Sequence, residues 1–343
     1  MLTRPPRPQD QTDDHRDVAV VVPCHNEAAT VQEVVEDFRR VLPGCTVYIF
    51  DNASTDETAR LAAEAGAVVV SAVRPGKGSV VRKMFSEVDA DTFLMVDGDA
   101  TYEPEAGVEM VRLLREDTLD MVVGARVPSD LDGREYPSGH AAGNRFFSWL
   151  YRRLFQLPVE DVFSGYRAMS RSFVKSFPAT TSGFDIETEL LAHAAELKLE
   201  IAEIPARYYA RPEGSESKLD TYKDGFRILG SAFRLYRDLH PKRVFGGAAI
   251  LLTLLAWALG IPVIEGYWET GLVLRLPTAV LAVALQIIAC LLLIAGLIIS
   301  AVRQVSREQR RLAYLAVGAG SQRVPVVGDG APTRSVEVVR GSG

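Results

Sequence analysis

Two uncharged stretches near the C-terminus limit what this chain can become. From Val244 to Ile264 there are 21 residues without a charge, and from Leu276 to Val302 a further 27, interrupted only by Thr278, Gln286 and Ser300. As helix, at about 1.5 Å of rise per residue, either stretch covers a hydrocarbon core of about 30 Å. Two buried core helices are the alternative. Arg227, Arg234, Arg237, Lys242 and Arg243 precede the first stretch, and Arg303, Arg307, Arg310 and Arg311 follow the second. The connecting loop, Glu265 to Arg275, carries Tyr267 and Trp268, side chains suited to a membrane interface. Basic flanks on both sides predict a transmembrane hairpin at 244–302 (spans 244–264 and 276–302) in the cell (inner) membrane. The protein is then multi-pass, with its catalytic domain cytosolic. Gly and Ala within the hairpin offer a face for lateral packing, so a homo-oligomer is among the expectations.

Ahead of the hairpin, Leu219, Tyr222, Phe226, Leu229, Phe233 and Tyr236 recur at steps of three and four with basic residues between them. That period predicts an amphipathic juxtamembrane helix over 219–243, lying along the lipid bilayer or, alternatively, against a protein core. Residues 1–17 are polar and Pro-containing, with no apolar run of signal-peptide length, and read as a flexible leader. Residues 303–343 read as a flexible cytosolic tail, since the sequence beyond Gly318 is rich in Gly, Pro, Ser and isolated Val and has no sustained period.

The remainder is a soluble core. The chain has 343 residues, 48% apolar and 24% charged, enough to exclude a disordered protein. Its 38 basic and 44 acidic side chains give a net charge of −6, which provides no general attraction to nucleic acid. Cys24, Cys45 and Cys290 are scattered and form no CxxC pair, which argues against a disulfide framework or a structural zinc site.

Residues 18–218 alternate strand-like and helix-like patterns. The apolar run DVAVVVP ends at Pro23 and is followed by a helical stretch to Val41. A second strand, Thr46 to Phe50, leads into Asp51-Asn52-Ala53-Ser54 and a helix in which Ser54 and Glu57 have capping-box spacing and Gly66 marks the end. Short strands at Val68 to Val70 and Thr92 to Val96 continue the alternation. This is an α/β domain with a largely parallel sheet, whose ligands collect at the carboxyl ends of the strands. At those ends stand Pro23-Cys24-His25-Asn26-Glu27, Asp51 and Asp97-Gly98-Asp99. No GxGxxG follows the first strand, which argues against a nicotinamide enzyme. Two carboxylates one residue apart beyond a buried strand suit a hard cation, Mg²⁺ or Mn²⁺, together with a diphosphate.

In the order VVVPCHNE, FDNASTDET, GKG, DGD, GAR, SGYR, GFDIETE, EIP and GSESK, residues 18–218 resemble the family-2 glycosyltransferases of GT-A fold. The likeness is specifically to the polyprenyl-phosphate members, dolichol-phosphate-mannose-synthase-like, and the hairpin resembles the anchor of membrane-bound bacterial members. The resemblance implies a GT-A (Rossmann-like) catalytic domain that transfers a sugar from a nucleoside-diphosphate sugar to polyprenyl phosphate, with inversion and metal dependence. It implies that Pro23, His25, Glu27 and Asp51 line the nucleotide pocket and that Asp97 and Asp99 hold the metal, with Thr101 where a third ligand often stands. Lys77, in a glycine-flanked basic turn, is a phosphate candidate. Arg126 and Arg211 are implied near the phosphates and Ser164 to Arg167 near the acceptor, with Asn144, Arg145 and Lys218 as further acceptor-phosphate candidates. Glu187 and Glu189 lie two apart on a helix and face different ways; Glu189 is the favoured catalytic acid. Asp51 also reads as a turn residue and Asp56 as a helix-start acid. Family members commonly have aspartate where this chain has Asn52, which leaves the nucleobase open. A processive polysaccharide synthase is a rival, although its QxxRW motif is absent here; a non-catalytic nucleotide-sugar-binding membrane scaffold is another.

Overall fold

A computed structural model describes residues 15–128, 147–154, 159–179, 186–209, 230 and 232–320, with side chains to 318. The chain divides into two units, one of residues 1–225 with 310–343 and one of residues 226–309.

The first unit is built on a seven-stranded sheet. Its strands are β1 (Val18–Cys24), β2 (Thr46–Asp51), β3 (Val68–Ser71), β4 (Thr92–Met95), β5 (Met121–Pro128), β6 (Arg167–Ser170) and β7 (Ile201–Tyr208). Their order across the sheet is β3-β2-β1-β4-β6-β5-β7. The central strands are apolar on both faces because helices cover both: Val18 to Val22 of β1 and Phe93 to Met95 of β4 are at most 1% exposed. Helices α1 (Val31–Val41), α2 (Thr58–Glu64), α3 (Lys77–Glu87) and α4 (Pro104–Glu116) supply the cover. The sheet is mixed rather than largely parallel, since β6 runs antiparallel to both β4 and β5. Residues 147–154 form helix α5, and α6 (Arg171–Ser176) and α7 (Ile186–Leu197) come next along the chain.

Ser54 does not cap α2. That helix begins at Thr58, and the Ser54 hydroxyl instead accepts the Asn26 N–H at 2.9 Å. Asp56 takes the helix-start role, its carboxylate accepting the Thr58 N–H at 3.1 Å and the Ala28 N–H at 3.2 Å. Gly66, at φ +91°, ends the segment as the sequence indicated.

The second unit contains helix α8 (232–239) and helix α9 (Pro241–Thr270), and α10 (Leu276–Gly320) begins in it. Helices α9 and α10 are both long and apolar enough to cross a membrane. Pro241 opens α9, so the juxtamembrane helix stops before His240 rather than running to 243. Phe233 on α8 is exposed, and residues 219–229 of the expected amphipathic helix lie outside the described residues. Gly271, at φ +68°, closes α9 and donates its N–H to Tyr267 O at 2.8 Å. The two long helices meet at Gly296, where a Cβ would lie 2.8 Å from Phe245 Cβ; only glycine permits that approach.

The tail expectation needs correction. Helix α10 continues to Gly320 without a break, because the run from Val302 to Leu315 contains no Gly or Pro to stop it. Its last turns belong to the first unit. Arg310 pairs with Glu196 of α7 at 2.8 Å, and the Tyr314 hydroxyl donates to Asp120, just before β5, at 2.7 Å.

Candidate functional site

The parallel strands β1, β2 and β4 end side by side, with Cys24 opposite Asp51 and Val21 opposite Met95. Each continues into a tight polar turn. Asn26, Ala53 and Ala100, one per turn, adopt φ of +54°, +56° and +53°. For a non-glycine residue this left-handed geometry costs about 1–2 kcal/mol and survives only where the surroundings enforce it. Here hydrogen bonds do so: Asn26 Oδ1 accepts the Thr55 N–H at 2.8 Å, and the Thr58 hydroxyl accepts the Glu27 N–H at 2.9 Å. The Thr30 hydroxyl donates to Gly98 O at 2.7 Å and secures the third turn.

The turns carry a concentration of negative charge. Buried Cys24 is its internal reporter: burial pushes its thiol up, and Glu27, Asp51, Asp97 and Asp99 each push it further. Four carboxylates therefore surround one strand end. Gly98 allows the close packing, since a Cβ there would lie 2.5 Å from Cys24 Sγ.

Opposing this charge is Lys77, the first residue of α3. Its Nζ lies 2.6 Å from Asp97 Oδ1 and 2.6 Å from Glu187 Oε1. Burial alone would lower its pKa, but the two carboxylates hold it well above the ordinary lysine value, so it is charged throughout the physiological range. Asp99 is 4% exposed, and its Oδ1 accepts the hydroxyl of fully buried Thr101 at 2.6 Å. Against Asp97 packs Gly165, where a Cβ would lie 2.4 Å from Oδ2.

The acid that meets Lys77 is thus Glu187. Glu189, favoured from the sequence, is half-buried on the same helix, and the i, i+2 spacing does put the two on different faces. Pro23 is half-buried and His25 exposed, the latter with Nδ1 2.8 Å from Asn52 O. Asp51 does fulfil the turn role, its Oδ1 accepting the Ser54 N–H at 3.3 Å.

The cations placed near the acceptor behave differently. Arg167 is fully buried and donates Nε to Ser164 O and Nη2 to Val162 O, each at 3.0 Å. Burial brings its pKa down to about 10, which still leaves it charged. Ser164 is fully buried too, donating to Gly124 O at 2.5 Å and accepting the Tyr166 N–H at 3.2 Å. Neither side chain is presented to a ligand; both shape the 162–166 turn, because a buried donor must be satisfied locally. Arg126 forms a bidentate pair with Asp161, Nε to Oδ2 at 2.6 Å and Nη2 to Oδ1 at 2.7 Å, and its guanidinium lies 5.7 Å from the Tyr208 ring centre. Glu203 steadies that arrangement by accepting the N–H groups of Glu160 at 2.7 Å and Asp161 at 2.9 Å. Asn144, Arg145, Arg211 and Lys218 lie outside the described residues.

Sequence reasoning missed Asp161 and Tyr102, and it included Gly165 only as part of the Ser164 to Arg167 stretch near the acceptor. The Tyr102 hydroxyl accepts the Gly165 N–H at 3.0 Å, tying the turn after β4 to the one before β6. The only signals were the Asp three residues before SGYR and the Gly within it.

Among the described residues, no three His, Cys, Asp or Glu side chains converge closely enough to hold a metal alone. The donor chemistry of Asp97 and Asp99 is nonetheless all oxygen and anionic, which fits a hard divalent cation whose remaining positions are filled by phosphate oxygens.

Residues 19–177 match the description Glycosyl transferase family 2. Glycosyltransferase AglJ of Haloferax volcanii is 31% identical over 296 residues, covering 86% of this chain and 96% of that protein. The hexosyltransferase Agl6 of low-salt glycan biosynthesis in the same organism is 28% identical over 214 residues, 61% of this chain and 51% of that one. In fold, the chain is similar to glucosyl-3-phosphoglycerate synthase of Mycobacterium tuberculosis, with a TM-score of 0.53 at 21% identity, over 67% of this chain and 85% of that one. A crystal structure of that synthase holds Mn²⁺, UDP-glucose and phosphoglyceric acid. The mixed seven-stranded sheet is the GT-A, Rossmann-like α/β fold, and the chain belongs to glycosyl transferase family 2.

Proposed function

We propose that this glycosyltransferase moves one sugar from a nucleoside-diphosphate sugar to the phosphate of a polyprenol at the cytosolic face of the membrane, with inversion at the anomeric carbon. One observation carries the reading: a carboxylate-rich GT-A strand edge occurs in a chain that also holds two helices of membrane-spanning length and composition. An enzyme anchored in the bilayer meets a lipid acceptor whose phosphate sits at the interface.

Asp97 and Asp99 would hold Mg²⁺ or Mn²⁺, which when bound neutralises charge on the departing diphosphate. The chain's own residues do the rest. Glu27 and Asp51 border the nucleotide. Lys77, already charged and fixed between Asp97 and Glu187, lies within reach of a phosphate brought to Asp97. Arg126, near the carboxyl end of β5 and held in its fork by Asp161, stands toward the same end of the sheet and supplies a second cation there. An acceptor phosphate is anionic at neutral pH, so no side chain needs to remove a proton from it. The catalytic contribution is positioning for in-line attack and electrostatic stabilisation of the leaving group.

The test is release of nucleoside diphosphate by the purified full chain. Release that requires both a divalent metal and polyprenyl phosphate supports the reading; release without the lipid, or none with any donor, refutes it. Asp99→Ala is expected to lower transfer on the order of 10²-fold or more without unfolding the domain.

A further inference from the structure

Asn52 stands directly after the last residue of β2, and its hydrogen-bonding capacity is committed to one segment. Nδ2 donates to Ala72 O at 2.7 Å and to Arg74 O at 2.8 Å, and Oδ1 accepts the Gly76 N–H at 3.0 Å. Carbonyls only accept and an N–H only donates, so the network itself fixes which way the amide faces. The backbone is engaged as well: Asn52 N–H donates to Cys24 O at 2.8 Å, and Asn52 O lies 2.8 Å from His25 Nδ1. One residue thereby ties the ends of β1 and β2 to the turn that enters α3.

That turn delivers Lys77. Gly76 takes φ +103°, a conformation reserved for glycine, and the next residue is Lys77, whose Nζ bridges Asp97 and Glu187. The turn leaves Lys77 at the helix start, so a shift of Gly76 carries Lys77 with it. We propose that Asn52 is a positioning residue: by holding Ala72, Arg74 and Gly76 with one side-chain amide, it aims Lys77 at the Asp97–Glu187 pair. Aspartate is not equivalent here. Its carboxylate has no hydrogen to give to Ala72 O and Arg74 O and would place negative charge beside both. The inference rests on the reading of this strand edge as a nucleotide-sugar site, but it assigns Asn52 to the lysine rather than to the base.

The experiment uses the full chain in detergent and two readouts: amide hydrogen exchange over 72–80, and calorimetric titration with UDP and with GDP in the presence of Mn²⁺. In the parent, the Gly76 amide is expected to be protected like a sheet amide. Asn52→Asp at pH 8 is expected to lose on the order of ten-fold in that protection and in nucleotide affinity, the equivalent of about one net hydrogen bond. As pH falls the deficit should shrink, because a protonated carboxyl can again donate to one carbonyl. Asn52→Leu has the same charged neighbours, Asp51 on β2, His25 after β1 and Lys77 on α3, but nothing to titrate at position 52, so its deficit should be constant relative to the parent. Adding Asn52→Asp to Lys77→Met should cost nucleotide affinity little beyond Lys77→Met alone. Fast exchange at Gly76 in the parent, a pH-independent deficit in Asn52→Asp, or full additivity with Lys77→Met would overturn the proposal. If the parent binds neither of these nor any other common nucleoside diphosphate, the functional reading fails, and the exchange data alone still decide whether Asn52 orders the turn.

Discussion

Replacing Gly165 by alanine perturbs the site through a single methyl group. An added Cβ would lie 2.4 Å from Asp97 Oδ2, 2.9 Å from Cγ and 3.0 Å from Oδ1, so the whole carboxylate face is obstructed. Gly165 is not in the positive-φ region, so alanine fits its backbone, and its N–H can still donate to the Tyr102 hydroxyl. The strain therefore falls on Asp97. Restoring ordinary contact from 2.4 Å requires the carboxylate to retreat by about 1 Å, which stretches its 2.6 Å bond to Lys77 beyond hydrogen-bond range. A lost charge-assisted hydrogen bond is worth about 1.5–3 kcal/mol, and a displacement of about 1 Å at a reacting centre costs roughly 10²-fold in rate. The expected result is a roughly 10²-fold fall in kcat/KM for the donor, with a cooperative unfolding transition whose melting temperature is lowered by several degrees. The assay is nucleoside diphosphate release at saturating lipid acceptor, with thermal unfolding monitored in parallel. Parent-like kcat/KM in a folded Gly165→Ala protein would refute the placement of Asp97 in the donor site.

Two further outcomes test the framework around the site. His193 is 2% exposed, and burial, reinforced by Arg310, lowers its pKa to about 3 from the ordinary 6.5. The folded state thus keeps this imidazole neutral while the unfolded chain takes up a proton, so stability is full above about pH 6.5 and is lost progressively as pH falls toward 3. His193→Gln, which can retain a bond to Ser176, should flatten that acid limb in urea titrations at several pH values; an unchanged slope contradicts the assignment. Tyr314→Phe removes the hydroxyl that donates to Asp120 and should cost on the order of 1 kcal/mol, or about 2–4 °C in Tm, and raise exchange in the last turns of α10. No change in exchange there would mean that these turns do not dock in solution.

Much of this arrangement is legible from the residues. The charge-free runs and their basic flanks locate the long helices, and the acids stand where apolar strands stop, which is enough to place the carboxylate edge. Glu187 and Glu189 show where such reading ends: period alone separates their faces, but only the position of α7 against α3 decides which one meets Lys77. The arginines illustrate a second limit. Arg126 and Arg167 have the same local look after or within a strand, yet one is paired with a carboxylate and the other satisfies carbonyls of its own turn. Those partners, Asp161, Val162 and Ser164, are close to Arg167 in sequence but take up their roles only once β6 runs antiparallel between β4 and β5. The docked end of α10 was hidden for a different reason, since its contacts to Asp120 and Glu196 span more than a hundred residues.

The most direct measurement is the mass of the lipid formed when the purified full chain is incubated with a short polyprenyl phosphate, a divalent cation and a panel of nucleotide sugars. One new species is expected, heavier than the acceptor by a single sugar residue and lost in Asp99→Ala. Ladders of several sugars, sugar on a soluble acceptor alone, or an unmodified lipid with every donor would contradict transfer of one sugar to a polyprenyl phosphate.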